Sequence, residues 1–322
     1  MSEASQLIEV RDLVVRFPIR DHGKRTVIQP VDHVSFGIRP GEVLALVGES
    51  GSGKSTIART LLRIVTPSAG SILFDGQDVT RVKGRALAQY RRNVQMVFQD
   101  PFSSLNPART IEAHLSYPLR KHHRLRGKEL GDRIDELLER VGLTPTKDIR
   151  LKYPHELSGG QRQRVAIARA LAVSPRFLVA DEPISMLDVS IRAGVLKLMD
   201  DLRAAFNLAY LYITHDLASA RYFGDRIMVL YGGRVMETAP SDDLIRNPSH
   251  PYTRLLLAAT PGSGHRGKLP ETSNRAPNLA ADRKGCPFAE RCPLATSECH
   301  EVEPPVVAVT PEHTVACHHV TS

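Results

Sequence analysis

Gly48-Glu49-Ser50-Gly51-Ser52-Gly53-Lys54-Ser55-Thr56 follows the apolar run Val43-Leu44-Ala45-Leu46-Val47 and precedes Ile57-Ala58-Arg59-Thr60-Leu61-Leu62. The order reads as strand, glycine loop, helix, the context that gives G-x-x-x-x-G-K-[ST] its meaning. The glycines let successive backbone N–H groups turn inward onto phosphate oxygens, with the positive end of the following helix behind them. Lys54 is placed to reach the β and γ phosphates, and the Ser55 hydroxyl to take one position around Mg²⁺. A chance glycine turn followed by Lys-Ser is the bland alternative, and the flanking strand and helix count against it. A nucleoside triphosphate site is expected on residues 48–56.

The 322 residues are 42% hydrophobic and 24% charged, a soluble globular composition. That length suits one large core with an appendage, or two domains. No run approaches the roughly eighteen apolar residues of a membrane span, and Met1-Ser2-Glu3-Ala4-Ser5-Gln6 has no signal-peptide pattern. A cytosolic location is therefore expected. A formal net charge of +8 suits anionic ligands, an anionic membrane face or nucleic acid. The densest basic cluster is Arg120-Lys121-His122-His123-Arg124-Leu125-Arg126-Gly127-Lys128. Such a run is more often a solvated face than a binding site.

Residues 7–17 alternate like a half-buried strand ending on Phe17, and Pro18 to Arg25 read as a polar loop. Phe17 could stack on a base or simply pack in a core. Pro67-Ser68-Ala69-Gly70 reads as a turn, and Ser71 to Gly76 as a strand running into another. Val94 to Phe98 is a strand candidate ending at Gln99, followed by the loop Asp100-Pro101-Phe102-Ser103-Ser104-Leu105-Asn106-Pro107. Ile134, Leu137, Leu138 and Val141 then fall at helical spacing with Gly142 as a stop. Residues 100 to about 170 are expected to form a helical insertion in an α/β core. It closes on Leu157-Ser158-Gly159-Gly160-Gln161, glycines and a hydroxyl at a second helix start.

Phe177-Leu178-Val179-Ala180-Asp181-Glu182-Pro183 delivers two adjacent carboxylates at the end of a buried strand. Asp181 can hold Mg²⁺ and Glu182 can polarise an attacking water; without the glycine loop, a surface acidic pair would be the better reading. Tyr210 to Thr214 is a further strand, delivering His215 and Asp216 on the phosphate side of an open sheet. Ile227 to Glu237 reads as a hairpin turning at Gly232-Gly233. Ser241-Asp242-Asp243 is expected to cap a short helix. Gly262 to Lys284 has linker composition.

These residues together resemble the ATP-binding subunits of ABC transporters, over nearly the whole chain. The most specific element is Leu157 to Gln161, between the glycine loop and Asp181-Glu182, with Ser185-Met186-Leu187-Asp188 and His215 after it. The resemblance makes Ser158, Gly159, Gly160 and Gln161 the signature, acting on a partner subunit's ATP. It makes Asp188 the D-loop aspartate, His215 the switch histidine, Gln99 the Q-loop sensor that also reaches Mg²⁺, and Phe17 the adenine-stacking aromatic. Phe98 to Pro107 and His250-Pro251-Tyr252-Thr253-Arg254 are similar to the oligopeptide and dipeptide importer subgroup. Met186 departs from the commoner Ser-Ala-Leu-Asp, and oligosaccharide importers share the architecture.

The implied protein is an α/β P-loop ATPase with a RecA-like core, an antiparallel β subdomain and the helical insertion, followed by an irregular Cys-rich extension. The domains are expected at 1–240 and 241–322. The implied partners are a second ATPase subunit, identical or a sister, two transmembrane permease subunits and, indirectly, an extracytoplasmic substrate-binding protein. The location is then the cytoplasmic face of the membrane. A soluble ATPase of the superfamily acting on nucleic acid would carry long coiled-coil insertions, and no sustained heptad run is present. Nucleic acid is therefore not expected as a partner. A kinase or small GTPase has no use for Leu-Ser-Gly-Gly-Gln.

All four cysteines, Cys286, Cys292, Cys299 and Cys317, lie in the final 37 residues, with gaps of five, six and seventeen. Disulfides are disfavoured in the cytosol. Four thiolates suit Zn²⁺, with His300, His313, His318 and His319 as substitutes, although structural zinc sites use close C-x₂₋₄-C pairs. Four thiolates also suit an iron–sulfur cluster. The spacing resembles the C-terminal segment of certain dipeptide-importer ATPases, which implies [4Fe–4S].

Overall fold

The computed structural model describes residues 6–21, 24–100, 104–259 and 277–320. Two compact units divide the chain: Met1–Arg81 with Leu211–Ser322, and Val82–Tyr210. In chain order the strands are β1 (Ile8–Asp21), β2 (Lys24–Ile38), β3 (Val43–Val47), β4 (Ala69–Phe74), β5 (Gln77–Asp78) and β6 (Val94–Val97). They continue with β7 (Phe177–Asp181), β8 (Ala209–Thr214), β9 (Arg226–Tyr231), β10 (Arg234–Pro240), β11 (Val306–Thr310) and β12 (His313–Ala316).

In the first unit β2, β1, β4 and β5 form an antiparallel sheet in that order. The polar loop expected from Pro18 is instead strand: Phe17 lies opposite Ile28, Pro18 opposite Val27 and Ile19 opposite Thr26. β4 pairs with β1 only as far as Val14. Beyond that point, among the described residues, one side of β1 has no neighbour in its sheet, a place where a strand tolerates proline. Backbone pairing alone carries the ribbon there, so it needs no apolar face; Ile19 and Val27 are both exposed.

The unit's second sheet runs β11-β12-β10-β9-β3 and on to Leu211–Thr214 of β8. All five residues of β3 are fully buried, its valine and leucine side chains each being worth about 1.5–3 kcal/mol of transfer free energy. β3 and β9 are parallel, and β9 turns through Gly232-Gly233 into antiparallel β10, as expected. The extension, expected to be irregular, ends in a hairpin. β12 joins β10 through Glu237–Val315 and Thr238–Thr314, with β11 outside it. Ser241 is not the cap expected of it. Pro240 ends β10 and occupies the N-cap position, while Ser241 Oγ donates to Gly224 O at 2.6 Å. Asp242 and Asp243 do fall in the first turn, on the positive end of the helix.

In the second unit β6 and β7 pair in parallel. Around them lie helices Gly84–Asn93, Ile111–His123, Gly127–Arg140, Thr146–Leu151, Gly159–Leu171 and Val189–Phe206. The stretch 100–170 is mostly helical, as expected; Pro101, Phe102 and Ser103 of the anticipated loop lie outside the described residues. Ile134, Leu137, Leu138 and Val141 are buried, and Gly142 takes φ 67° after them. Arg150 donates to Glu112 and Asp135 at 3.1 Å each, joining three helices. The basic run 120–128 spans a helix end and the next helix start, and most of its side chains are exposed.

Candidate functional site

The glycine loop of the first unit is held from below by backbone. A Cβ on Gly48 would run into the Leu230 carbonyl, and one on Gly53 into that of Pro30. Gly53 also takes φ 110° and is the N-cap of helix Lys54–Leu61. Only glycine meets both demands. Gly233 N–H donates to Ser52 O at 2.8 Å, so the β9–β10 turn is tied directly to the loop. Lys54 is buried, its Nζ donating to the carbonyls of Gly48 at 2.6 Å and Glu49 at 2.8 Å. Ser50, Gly51 and Ser55 face outward, and Thr56 is half-buried. This narrow cradle of backbone donors, with one buried cation and an exposed hydroxyl, fits a triphosphate and the Mg²⁺ that accompanies it. Phe17 is half-buried on β1. His215 is exposed at the end of β8, and Asp216 after it caps helix Leu217–Phe223 by accepting from Ala218 and Ser219 N–H.

Sequence reasoning missed what holds the loop from the side. Glu49 N–H donates to the Tyr252 hydroxyl at 3.0 Å. The Glu49 carboxylate receives both terminal nitrogens of Arg291, at 2.7 and 3.0 Å. Tyr252 N–H in turn donates to His250 Nδ1 at 3.0 Å. His250 is buried, and burial pushes its pKa down to about 4. Behind the loop, Asp32 is paired with Arg234 and with Arg283. Burial pushes this carboxyl up, but the two guanidiniums outweigh it and hold it below its usual range. The only signal that could have found Tyr252 was the motif around it; Arg291 lies too far along the chain for any periodicity to point to Glu49.

In the second unit the structure brings Gln99 and Glu182 together, Gln99 Nε2 donating to Glu182 Oε2 at 3.1 Å. Glu182 takes φ 46°, a left-handed backbone that non-glycine residues adopt at a cost. The Glu182 carbonyl accepts from both N–H and Oγ of Ser185, which helps hold that turn. Asp181 is the last residue of β7 and half-exposed. Ser158 is the exposed N-cap of helix Gly159–Leu171; its Oγ accepts from Gln161 N at 3.2 Å, and Gln161 Oε1 accepts from Ser158 N at 3.0 Å. Gly160 is buried against Ile191. Asp188 is the exposed N-cap of Val189–Phe206.

The four cysteines converge in the tail. Burial pushes the Cys286 thiol up to about 11, and the nearby thiols of Cys292, Cys317 and Cys299 add to the shift. Cys286 N–H donates to Cys299 O at 2.8 Å, and the Cys299 sulfur meets His319 Nε2 at 3.6 Å. His313 is bound to Glu237 at 2.7 Å and His318 to Val302 O at 3.0 Å. Among the described residues no three His, Cys, Asp or Glu side chains stand close enough to grip a single ion.

Comparison with known proteins decides the lineage. The family model described as ABC transporter matches residues 31–185. The oligopeptide transport ATP-binding protein AppF of Bacillus subtilis is 44% identical over 99% of this chain and 99% of its own. The chain belongs to the ABC transporter family. A second model, the oligopeptide/dipeptide transporter C-terminal region, matches residues 236–299 of this ABC ATPase. A Brucella ovis protein provisionally named for peptide import ATP binding is 45% identical over 97% of each chain. Among solved structures, the dimeric ATP-binding cassette MJ0796, bound to ADP and Pi after hydrolysis, superposes with a TM-score of 0.65. It is 30% identical and covers 73% of this chain and 98% of its own. The glycine loop and β3 fall within the ABC transporter match, as do Gln99, Ser158 and Glu182. No helix among the described residues of this ABC ATPase is long and apolar enough to cross a membrane.

Proposed function

We propose that this ABC ATPase powers an importer of oligopeptides or dipeptides from the cytoplasmic face of the membrane. It works as one of two ATPase subunits on a pair of transmembrane permeases, fed by an extracytoplasmic binding protein. The observation that carries the cargo class is the match of residues 236–299 to the oligopeptide/dipeptide transporter C-terminal region. Cell fractionation tests the location: the protein should sediment with membranes and become soluble when its permeases are deleted. Retention without them would refute peripheral attachment through permeases. The permease and binding protein that co-purify identify the cargo.

In this reading the N–H groups of residues 48–56 and Lys54 hold the phosphates, and Phe17 stacks on adenine. Ser55, Asp181 and Gln99 are the residues that would hold Mg²⁺, which when bound neutralises charge on the phosphate oxygens. Glu182 takes the proton of the attacking water or orients it, and His215 acts as the switch residue beside the phosphate. Gln99 reports the state of that site to the helical region, since the same amide can hold either Glu182 or a newly arrived polar group. Ser158, Gly159, Gly160 and Gln161, with Asp188, serve the ATP of the partner subunit. The ATPase domain covers residues 1–240, with the helical insertion at about 100–170, and the importer-type extension covers 241–322.

The four cysteines are read as ligands of a [4Fe–4S] cluster that staples the extension. Four converging thiols supply the donor set such a cluster takes. Structural zinc sites draw on close C-x₂₋₄-C pairs, whereas the gaps here are five, six and seventeen residues. Anaerobically purified protein should be brown, with broad absorbance near ~400 nm and about four irons per chain. A colourless preparation holding one zinc would assign the site to zinc instead.

A further inference from the structure

We infer that Arg291, carried by the Cys-rich extension, is a positioning residue of the nucleotide site, and that it acts by holding and neutralising Glu49. Glu49 is the second residue of the glycine loop, and a triphosphate must bind beside it. An unpaired carboxylate there would repel the phosphates and could swing across the cradle. Arg291 prevents both. Its two terminal nitrogens grip the two carboxylate oxygens at 2.7 and 3.0 Å, a fork geometry that fixes orientation as well as charge.

The guanidinium is itself held. It lies 5.6 Å from the centroid of the Tyr231 ring and 5.8 Å from that of Phe288, and it donates to the Tyr231 hydroxyl at 3.3 Å. Tyr231 meets Tyr252 and Phe288 edge-on, at 4.6 and 5.3 Å. Tyr252 is the residue whose hydroxyl accepts the Glu49 N–H. Backbone and carboxylate of one loop residue are thus both anchored by the region after residue 230. A second arm reaches back further along the chain: Leu279 O accepts from Gln29 N at 2.8 Å, and Arg283 binds Asp32 at 2.6 Å. Asp32 N–H donates to Gly233 O, and Gly233 supports Ser52. The extension therefore braces the phosphate loop from two directions.

The inference rests on residues 48–56 being the triphosphate site, and Lys54→Ala tests that premise separately. ATP and ADP affinities are measured by titration calorimetry on the full chain, at two salt concentrations. Arg291→Gln should weaken ATP on the order of tenfold and ADP about threefold, with the gap closing at high salt. Adding Glu49→Gln should restore ATP binding to within about threefold, because the offending charge is gone. A role confined to folding would cost both nucleotides alike and gain nothing from the second change. ATP affinity within twofold in Arg291→Gln, or a double variant no better than the single, overturns the inference. Should Arg291→Gln fail to fold, Glu49→Gln alone leaves Arg291 uncancelled and should raise the ATP-to-ADP preference about threefold; an unchanged preference also overturns it. If Lys54→Ala binds ATP normally, it is the premise that has failed.

Discussion

Two helices begin at glycine-bearing loops, Lys54–Leu61 and Gly159–Leu171, and they finish their first turns in opposite ways. At the first, the N-cap is Gly53, which has no side chain and makes no cap. At the second, Ser158 and Gln161 close a reciprocal capping box. A helix start whose N-cap residue has no side chain leaves space for an anion at its first turn. One closed by a capping box has its third donor already bonded, so a ligand that reaches that N–H must displace the serine oxygen. The contrast matches two tasks. In the reading proposed above, the first loop binds nucleotide within one chain and the second waits for a partner's.

The hardest test of that division is Glu182→Gln. The proposed reading gives binding to the loop and turnover to the second unit's carboxylate, so the variant should hold ATP normally while steady hydrolysis falls about 10³-fold. Near-native turnover would remove Glu182 from the chemistry. Lys54→Ala attacks the first helix start directly and should weaken ATP on the order of 10²-fold, measurable by calorimetry; a change below twofold would sink the loop's assignment.

The brace behind the loop should respond to acid. His250 accepts the Tyr252 N–H only when neutral, and its folded pKa near 4 lies below the ordinary value of 6.5. Its contribution is therefore complete above about pH 6.5 and is lost as pH falls toward 4. Between pH 7 and pH 5 the wild type should lose about 2 kcal/mol more stability than His250→Gln, read from denaturant midpoints. Equal losses would place the acid sensitivity elsewhere. The smallest effect is at the second helix start. Ser158→Ala opens the capping box and should cost about 1 kcal/mol of stability, while the single chain's ATP affinity stays unchanged. A fall in that affinity would mean the two helix starts are not independent.

The parts of this molecule that follow a local rule were readable in the sequence. The glycine loop sits between a fully apolar five-residue strand and an amphipathic helix, and the Gly232-Gly233 hairpin and the Ile134-to-Val141 stripe obey fixed periods. Pro18 to Arg25 misled because backbone pairing carries that ribbon without an apolar pattern. Helix Gly84–Asn93 escaped notice because, of its residues, only Tyr90 is buried. Ser241 failed as a cap because β10 runs straight into the helix. The hairpin β11–β12 was hidden because β11 is largely exposed and so shows no alternation of buried and exposed residues. At the site, Gln99 and Glu182 were each named from sequence, yet their 3.1 Å contact joins residues too distant along the chain for spacing to reveal. Arg291 and Tyr252 carry no motif for holding a loop; only folding shows what they hold.

The grip of Arg291 on Glu49 has a consequence for how the protein is made. A ribosome delivers residues 48–56 early, and the arginine that steadies them follows more than two hundred residues later. At about 5–20 residues per second, the phosphate loop spends some tens of seconds without its brace. The nascent chain should therefore bind ATP poorly until translation is nearly complete. Synthesis itself then delays the moment at which this subunit can begin to consume ATP.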